Sequence, residues 1–127
     1  MEVLLDTHGL IWWFEGGARL SKLAASVLAS PDNSILISAV VGWELAIKSN
    51  VSRFNAPDLL QDLDGIIARR GFSELPISMV HAVRAGLLPL HHRDPFDRLL
   101  VAQAQALNVP ILSVDATLDR YGIRRIW

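Results

Sequence analysis

Four acidic residues stand where apolar runs of the chain end or where helical spacing begins. Asp6 follows directly on Val3 to Leu5, and Asp115 closes the stretch Ile111-Leu112-Ser113-Val114-Asp115. Glu44 lies six residues past Ser38 on the helical segment that leaves the run Ile35 to Ile37, so one and a half turns of helix return it toward the end of that run. Asp97 opens the helical segment that feeds the run ending near Asp115. In an open parallel α/β sheet the ligand crevice lies beyond the carboxyl ends of the strands, and all four acids are expected there. Clustered carboxylates repel and raise one another's pKa values unless a cation intervenes. Oxygen ligands in a chain without cysteine suit Mg²⁺ or Mn²⁺, which keep water and phosphate oxygens among their ligands. Such an ion lowers the pKa of a water and neutralises charge on phosphate oxygens, so the pattern points to cleavage of phosphodiesters.

The elements that must position these acids are legible as alternating patterns. Val3 to Leu5, Ile35 to Ile37 and Ile111 to Leu112 are short apolar runs bounded by turn residues and read as buried strands. Leu75 and Ile77 suggest a further strand, and Ile123 to Ile126 a short edge strand. Helical spacing covers Leu20 to Leu28, Val41 to Lys48, Leu59 to Arg69, Met79 to Ala85 and Pro95 to Leu107. Asp94 before Pro95 has the form of an N-cap followed by proline in the first turn, and Ser38, Asp58 and Ser78 are expected to cap their own helices. Strands apolar throughout, joined by helical crossovers, imply a parallel sheet covered on both faces.

Length and composition set the frame. A chain of 127 residues with 51% hydrophobic and 20% charged residues is expected to form one domain over residues 1–127 and is too apolar to remain disordered. The start MEVLLDTHGLIWWFE carries acids where a signal peptide carries bases, and no stretch is long enough to span a bilayer. Absence of cysteine suits a reducing cytoplasm. A net charge of -1 gives no bulk signal for nucleic acid, so any such binding must come from a local site.

The segments LLDTHGLIWW, SAVVGWELAIK, HHRDPFDRLLVAQA and ILSVDATLDRYGIRRIW, in this order and spacing, resemble the PIN-domain ribonucleases, particularly VapC-type toxins of bacterial toxin–antitoxin pairs. The resemblance covers essentially the whole chain. It implies a three-layer α/β/α fold around a parallel sheet, metal-dependent cleavage of RNA, homodimerisation and neutralisation by a cognate antitoxin. It places the metal-binding and catalytic set on Asp6, Glu44, Asp97 and Asp115, with Asp97 preferred over Asp94 because Asp94 has a capping role. Thr7 and Ser113 resemble the family's hydroxyl positions beside the acids. Arg93, Arg98 and Lys48 are the bases expected to guide RNA across so negative a pocket.

Each residue also has a plainer structural role. Asp6 can cap a helix near Gly9, Asp115 can cap the turn Ala116 to Leu118, and Glu44 with Lys48 has the spacing of an ordinary helical ion pair. His91 and His92 are expected to be exposed loop residues, and His8 to pack against the fold. Trp12, Trp13 and Trp43 are expected in the core or in a dimer interface, with Leu20 to Leu28 and Leu59 to Ile67 as further dimer surfaces. Two rivals to a nuclease remain: a phosphatase using Asp6 as nucleophile, disfavoured by resemblance because His8 stands where that group carries a second aspartate, and a non-catalytic α/β interaction module with a vestigial acidic pocket.

Overall fold

The computed structural model describes residues 1–50 and 57–127. Strands β1 (Glu2–Leu5), β2 (Ser34–Ser38), β3 (Ser73–Leu75), β4 (Ile111–Leu112) and β5 (Arg125–Ile126) form one parallel sheet in the order β3-β2-β1-β4-β5. Val3, Leu4 and Leu5 are all fully buried, and so are Ile111 and Leu112. Successive strand residues point to opposite faces, so both faces of the sheet are covered. The covering layers come from α1 (Thr7–Phe14), α2 (Lys22–Ala29), α3 (Ala39–Asn50), α4 (Pro57–Gln61), α5 (Leu63–Arg69), α6 (Met79–Leu87) and α7 (Pro95–Leu107). A 3₁₀ helix, Ala116–Tyr121, joins β4 to β5.

The strand order determines where a ligand fits. The chain winds outward from β1 through β2 to β3, then returns to lay β4 on the other side of β1. The two halves diverge between β1 and β4, which is the switch point where open α/β sheets leave a crevice. Asp6 leaves β1 and Ser113 leaves β4 on that same edge.

Some boundaries depart from expectation for local reasons. The segment Leu59 to Arg69 is two helices, broken at Asp62, whose φ of -135° is not helical. The sequence Asp62-Leu63-Asp64-Gly65 contains poor helix formers, and Asp62 instead forms an exposed ion pair with Arg69 at 2.8 Å. Asp58 therefore lies in the first turn of α4, after Pro57, and is not a cap. β3 stops at Leu75 because Pro76 has no N–H to donate, which leaves Ile77 outside the sheet. Ser78 does cap α6, in a reciprocal capping box with His81. Ser38 accepts from the Val40 N–H at 3.1 Å at the start of α3.

The aromatic residues divide. Trp12 packs on Trp127 and Trp13 on Phe72, both half-buried against the core. Trp43 is 54% exposed, its ring edge against Phe96, so it is not a core residue. Among the described residues the most exposed apolar side chains are on α6 and just after it, at Met79, Val80, Leu87 and Leu90, while Leu23, on a segment expected to form a dimer surface, is also exposed.

Candidate metal centre

Asp6 is the N-cap of α1: its Oδ1 accepts the Gly9 N–H at 2.7 Å, and the side chain is turned inward, with the residue only 5% exposed. The plain capping role and the chemical one therefore coexist. Burial raises the Asp6 pKa, and hydrogen bonds from Ser113 and Gly9 only partly offset this. The next residue, Thr7, donates its hydroxyl to Glu44 Oε1, which ties the β1–α1 junction to the middle of α3. Glu44 is 3% exposed, and its other oxygen lies 2.5 Å from Lys48 Nζ, one turn further along α3.

Asp97, in the first turn of α7, has its pKa pushed up to about 7, first by burial and then by the charge of Asp94, with Glu44 and Asp6 adding smaller repulsions. Those repulsions are the electrostatic signature of acids from β1, α3 and α7 sharing one hollow. Asp94 is the N-cap of α7, accepting from the Phe96 N–H at 2.9 Å. Asp115 caps the 3₁₀ helix through the Thr117 N–H at 3.0 Å. Burial raises the Asp115 pKa, but the Thr117 and His92 hydrogen bonds outweigh it and leave the group below the usual carboxylate range. Ser113, fully buried, accepts from the Asp115 N–H at 3.1 Å and so bridges Asp6 and Asp115.

His92 is the residue that sequence reasoning misplaced. It was expected to be an exposed loop side chain, yet it is four-fifths buried, with Nε2 2.9 Å from Asp115 Oδ2 and 3.1 Å from Asp97 Oδ2. His92, Asp97 and Asp115 offer ligand atoms within 4.8 Å of one another, the one such group found among the described residues. Its proximity in sequence to Asp94 and Asp97 was the available signal; the loop between Pro89 and Pro95 hid it, because loop direction is not periodic.

Of the bases expected to meet RNA, Arg98 does not face the pocket. It is buried, and its guanidinium donates to the carbonyls of Ala85 at 2.9 Å and Leu88 at 3.1 Å, satisfying the end of α6. Lys48 is engaged with Glu44, while Arg93 is exposed on the approach to α7. His8 is exposed, its ring tilted against Trp12 at 5.7 Å.

The donor set fits a hard divalent cation: carboxylates from four elements, with hydroxyls of Thr7 and Ser113 holding two of them in place. Burial first, and then the charge of neighbouring acids, lets Asp97 hold its proton up to near neutrality when no cation is present.

The fold is similar to that of VapBC2 of Rickettsia felis, solved on a fragment of promoter DNA, with a TM-score of 0.72, 19% identity and coverage of 99% of this chain and 98% of that one. VapBC-1 of nontypeable Haemophilus influenzae aligns at a TM-score of 0.70 with 16% identity over 99% and 97% of the two chains. VapC20 of Mycobacterium tuberculosis, a toxin that cleaves the Sarcin-Ricin loop, aligns at 0.72 with 13% identity over 95% of each. Comparison with curated proteins returns no match. The sequence itself matches the PIN domain over residues 3–124, so the chain belongs to the PIN domain family.

Proposed function

We propose that this chain is the toxin of a toxin–antitoxin pair, an endoribonuclease that works in the cytoplasm with Mg²⁺ or Mn²⁺. The observation that carries the reading is the approach of Asp6, Glu44, Asp97 and Asp115 to the switch point of the sheet, with the Asp97 pKa pushed up to about 7 first by burial and then by neighbouring acids. These four residues would hold the cation, Thr7 and Lys48 orienting Glu44, and Ser113 orienting Asp6. When bound, a divalent cation supplies a more acidic water and neutralises charge on the phosphate. Arg93, exposed beside α7, is the base best placed to meet the RNA backbone.

A cognate antitoxin as partner is supported by the company the fold keeps, since a solved structure of similar fold is a toxin–antitoxin complex from Klebsiella pneumoniae. A homodimer is supported by the apolar face that α6 leaves exposed at Met79, Val80, Val83 and Leu87. No described helix is long and apolar enough to cross a membrane.

The deciding experiment is a Mg²⁺ titration of RNA cleavage by the wild type, Asp6→Asn, Asp97→Asn and Asp94→Asn. Loss of the ligands at 6 or 97 is expected to lower cleavage by ~100-fold or more. Asn still caps a helix, so Asp94→Asn is expected to keep most activity. Full metal-dependent cleavage by Asp6→Asn overturns the assignment, and metal-dependent RNA degradation by the wild type at low enzyme excess separates the enzyme from a non-catalytic interaction module.

A further inference from the structure

His92 makes contacts that the metal reading does not use. Its Nδ1 accepts the Asp94 N–H at 3.1 Å. A ring nitrogen that accepts carries no proton, so the neutral imidazole has its hydrogen on Nε2. That nitrogen faces Asp115 Oδ2 at 2.9 Å and Asp97 Oδ2 at 3.1 Å and therefore donates to them. The backbone of the same residue is also held: the His92 N–H donates to Tyr121 Oη at 2.8 Å, and the Tyr121 hydroxyl donates to the Pro89 carbonyl at 2.7 Å. His91 stacks edge-on against the Tyr121 ring at 5.1 Å.

These bonds form a chain between the 3₁₀ helix and the start of α7. Tyr121 ends the 3₁₀ helix whose N-cap is Asp115, and Asp94 is the N-cap of the helix that carries Asp97. From this we infer that His92 is a positioning residue: its Nε2–H draws Asp97 and Asp115 together and stays outside the coordination of any cation they hold. Ligation through Nε2 would require the ring proton to move to Nδ1, where it would confront the Asp94 N–H. The grouping of one imidazole with two carboxylates thus resembles a transition-metal triad by composition, but the Asp94 hydrogen bond makes the imidazole a donor, and the cation is left to oxygen ligands.

The inference rests on the metal reading above, and its test separates the two. In ¹⁵N-labelled protein, the long-range couplings of the His92 ring protons report the tautomer, first without metal and then with saturating Mg²⁺. The Nε2–H tautomer is expected in both states. Mg²⁺ affinity, measured by calorimetry, is expected to fall ~10-fold or more in His92→Ala. His92→Gln, whose amide nitrogen takes the place of Nε2, is expected to restore most of that affinity, while His92→Asn, which keeps only the acceptor for the Asp94 N–H, is not. A structural role alone would not separate Gln from Asn in that order. Loss of the Nε2 proton when Mg²⁺ binds, or unchanged affinity in His92→Ala, overturns the positioning role and leaves the metal site standing. A wild type that binds no Mg²⁺ overturns both, although the metal-free tautomer is still read.

Discussion

Lys48 Nζ lies 2.5 Å from Glu44 Oε2, the helical ion pair that the spacing of the two residues implied, and the acid it meets is buried. The pair has the i to i+4 spacing of a surface interaction, usually worth a few tenths of a kcal/mol, but Glu44 is buried and its partner largely covered. Removing one member leaves a buried charge without its counter-ion. Lys48→Met is expected to destabilise the fold by about 1–3 kcal/mol, and Lys48→Met with Glu44→Gln by less than the sum of the two single changes. Urea unfolding of the four proteins measures the coupling; strict additivity contradicts it.

Asp97 determines the pH response of the metal-free protein. Its pKa in the fold is about 7 against an ordinary 3.8, raised first by burial. A carboxyl whose folded pKa is raised contributes stability that is fully present below its unfolded pKa and is lost as pH rises through the folded pKa. The window is therefore pH 4 to 7, and Asp6, also raised by burial, acts in the same direction. With chelator present, stability is expected to be about 1–2 kcal/mol lower at pH 8 than at pH 5.5 on account of Asp97. Asp97→Asn is expected to flatten the profile, and Mg²⁺ to restore wild-type stability at pH 8. Denaturant midpoints across the pH range provide the check.

Arg98 and Arg93 separate structure from substrate contact. Arg98→Met strips hydrogen bonds from the carbonyls that end α6 and is expected to cost about 2–4 kcal/mol of stability without changing KM for RNA in the fraction that remains folded. Arg93→Ala is expected to leave the midpoint unchanged and raise KM roughly three- to tenfold, with a shallower salt dependence. Steady-state kinetics at two salt concentrations, beside thermal melts, distinguish these outcomes.

Gly9 protects the geometry of Asp6. A Cβ at this position would sit 2.6 Å from Leu5 Cδ1 and 2.9 Å from Asp6 Oδ1, and Leu5 is fully buried. Gly9→Ala must therefore displace the carboxylate that the Gly9 N–H holds. The expected result is about 1–3 kcal/mol of overpacking cost together with weaker Mg²⁺ binding. Calorimetry showing undiminished Mg²⁺ affinity would mean that Asp6 has room to move.

Much of this fold is written in local patterns. The apolar runs at Val3 to Leu5, Ile35 to Ile37 and Ile111 to Leu112 became central strands, because β-branched and leucine side chains in unbroken runs are only stable when both faces are covered. Asp94-Pro95 and Ser78 marked helix starts because capping depends on the residue itself and its next three neighbours. Three of the acids were identifiable as candidates for the same reason, since Asp6 and Asp115 follow strands and Asp97 lies in the first turn of a helix, while Glu44 was identifiable from helical spacing past Ser38.

The directions taken by the loop and by the long side chains were decided only in three dimensions. His92 turns inward because Tyr121, far along the chain, holds its backbone, and Arg98 turns away from the acids because the carbonyls that end α6 are unsatisfied beside it. Both outcomes depend on which group outside the residue's own element needs a hydrogen-bond partner, and no residue spacing within a segment encodes that need.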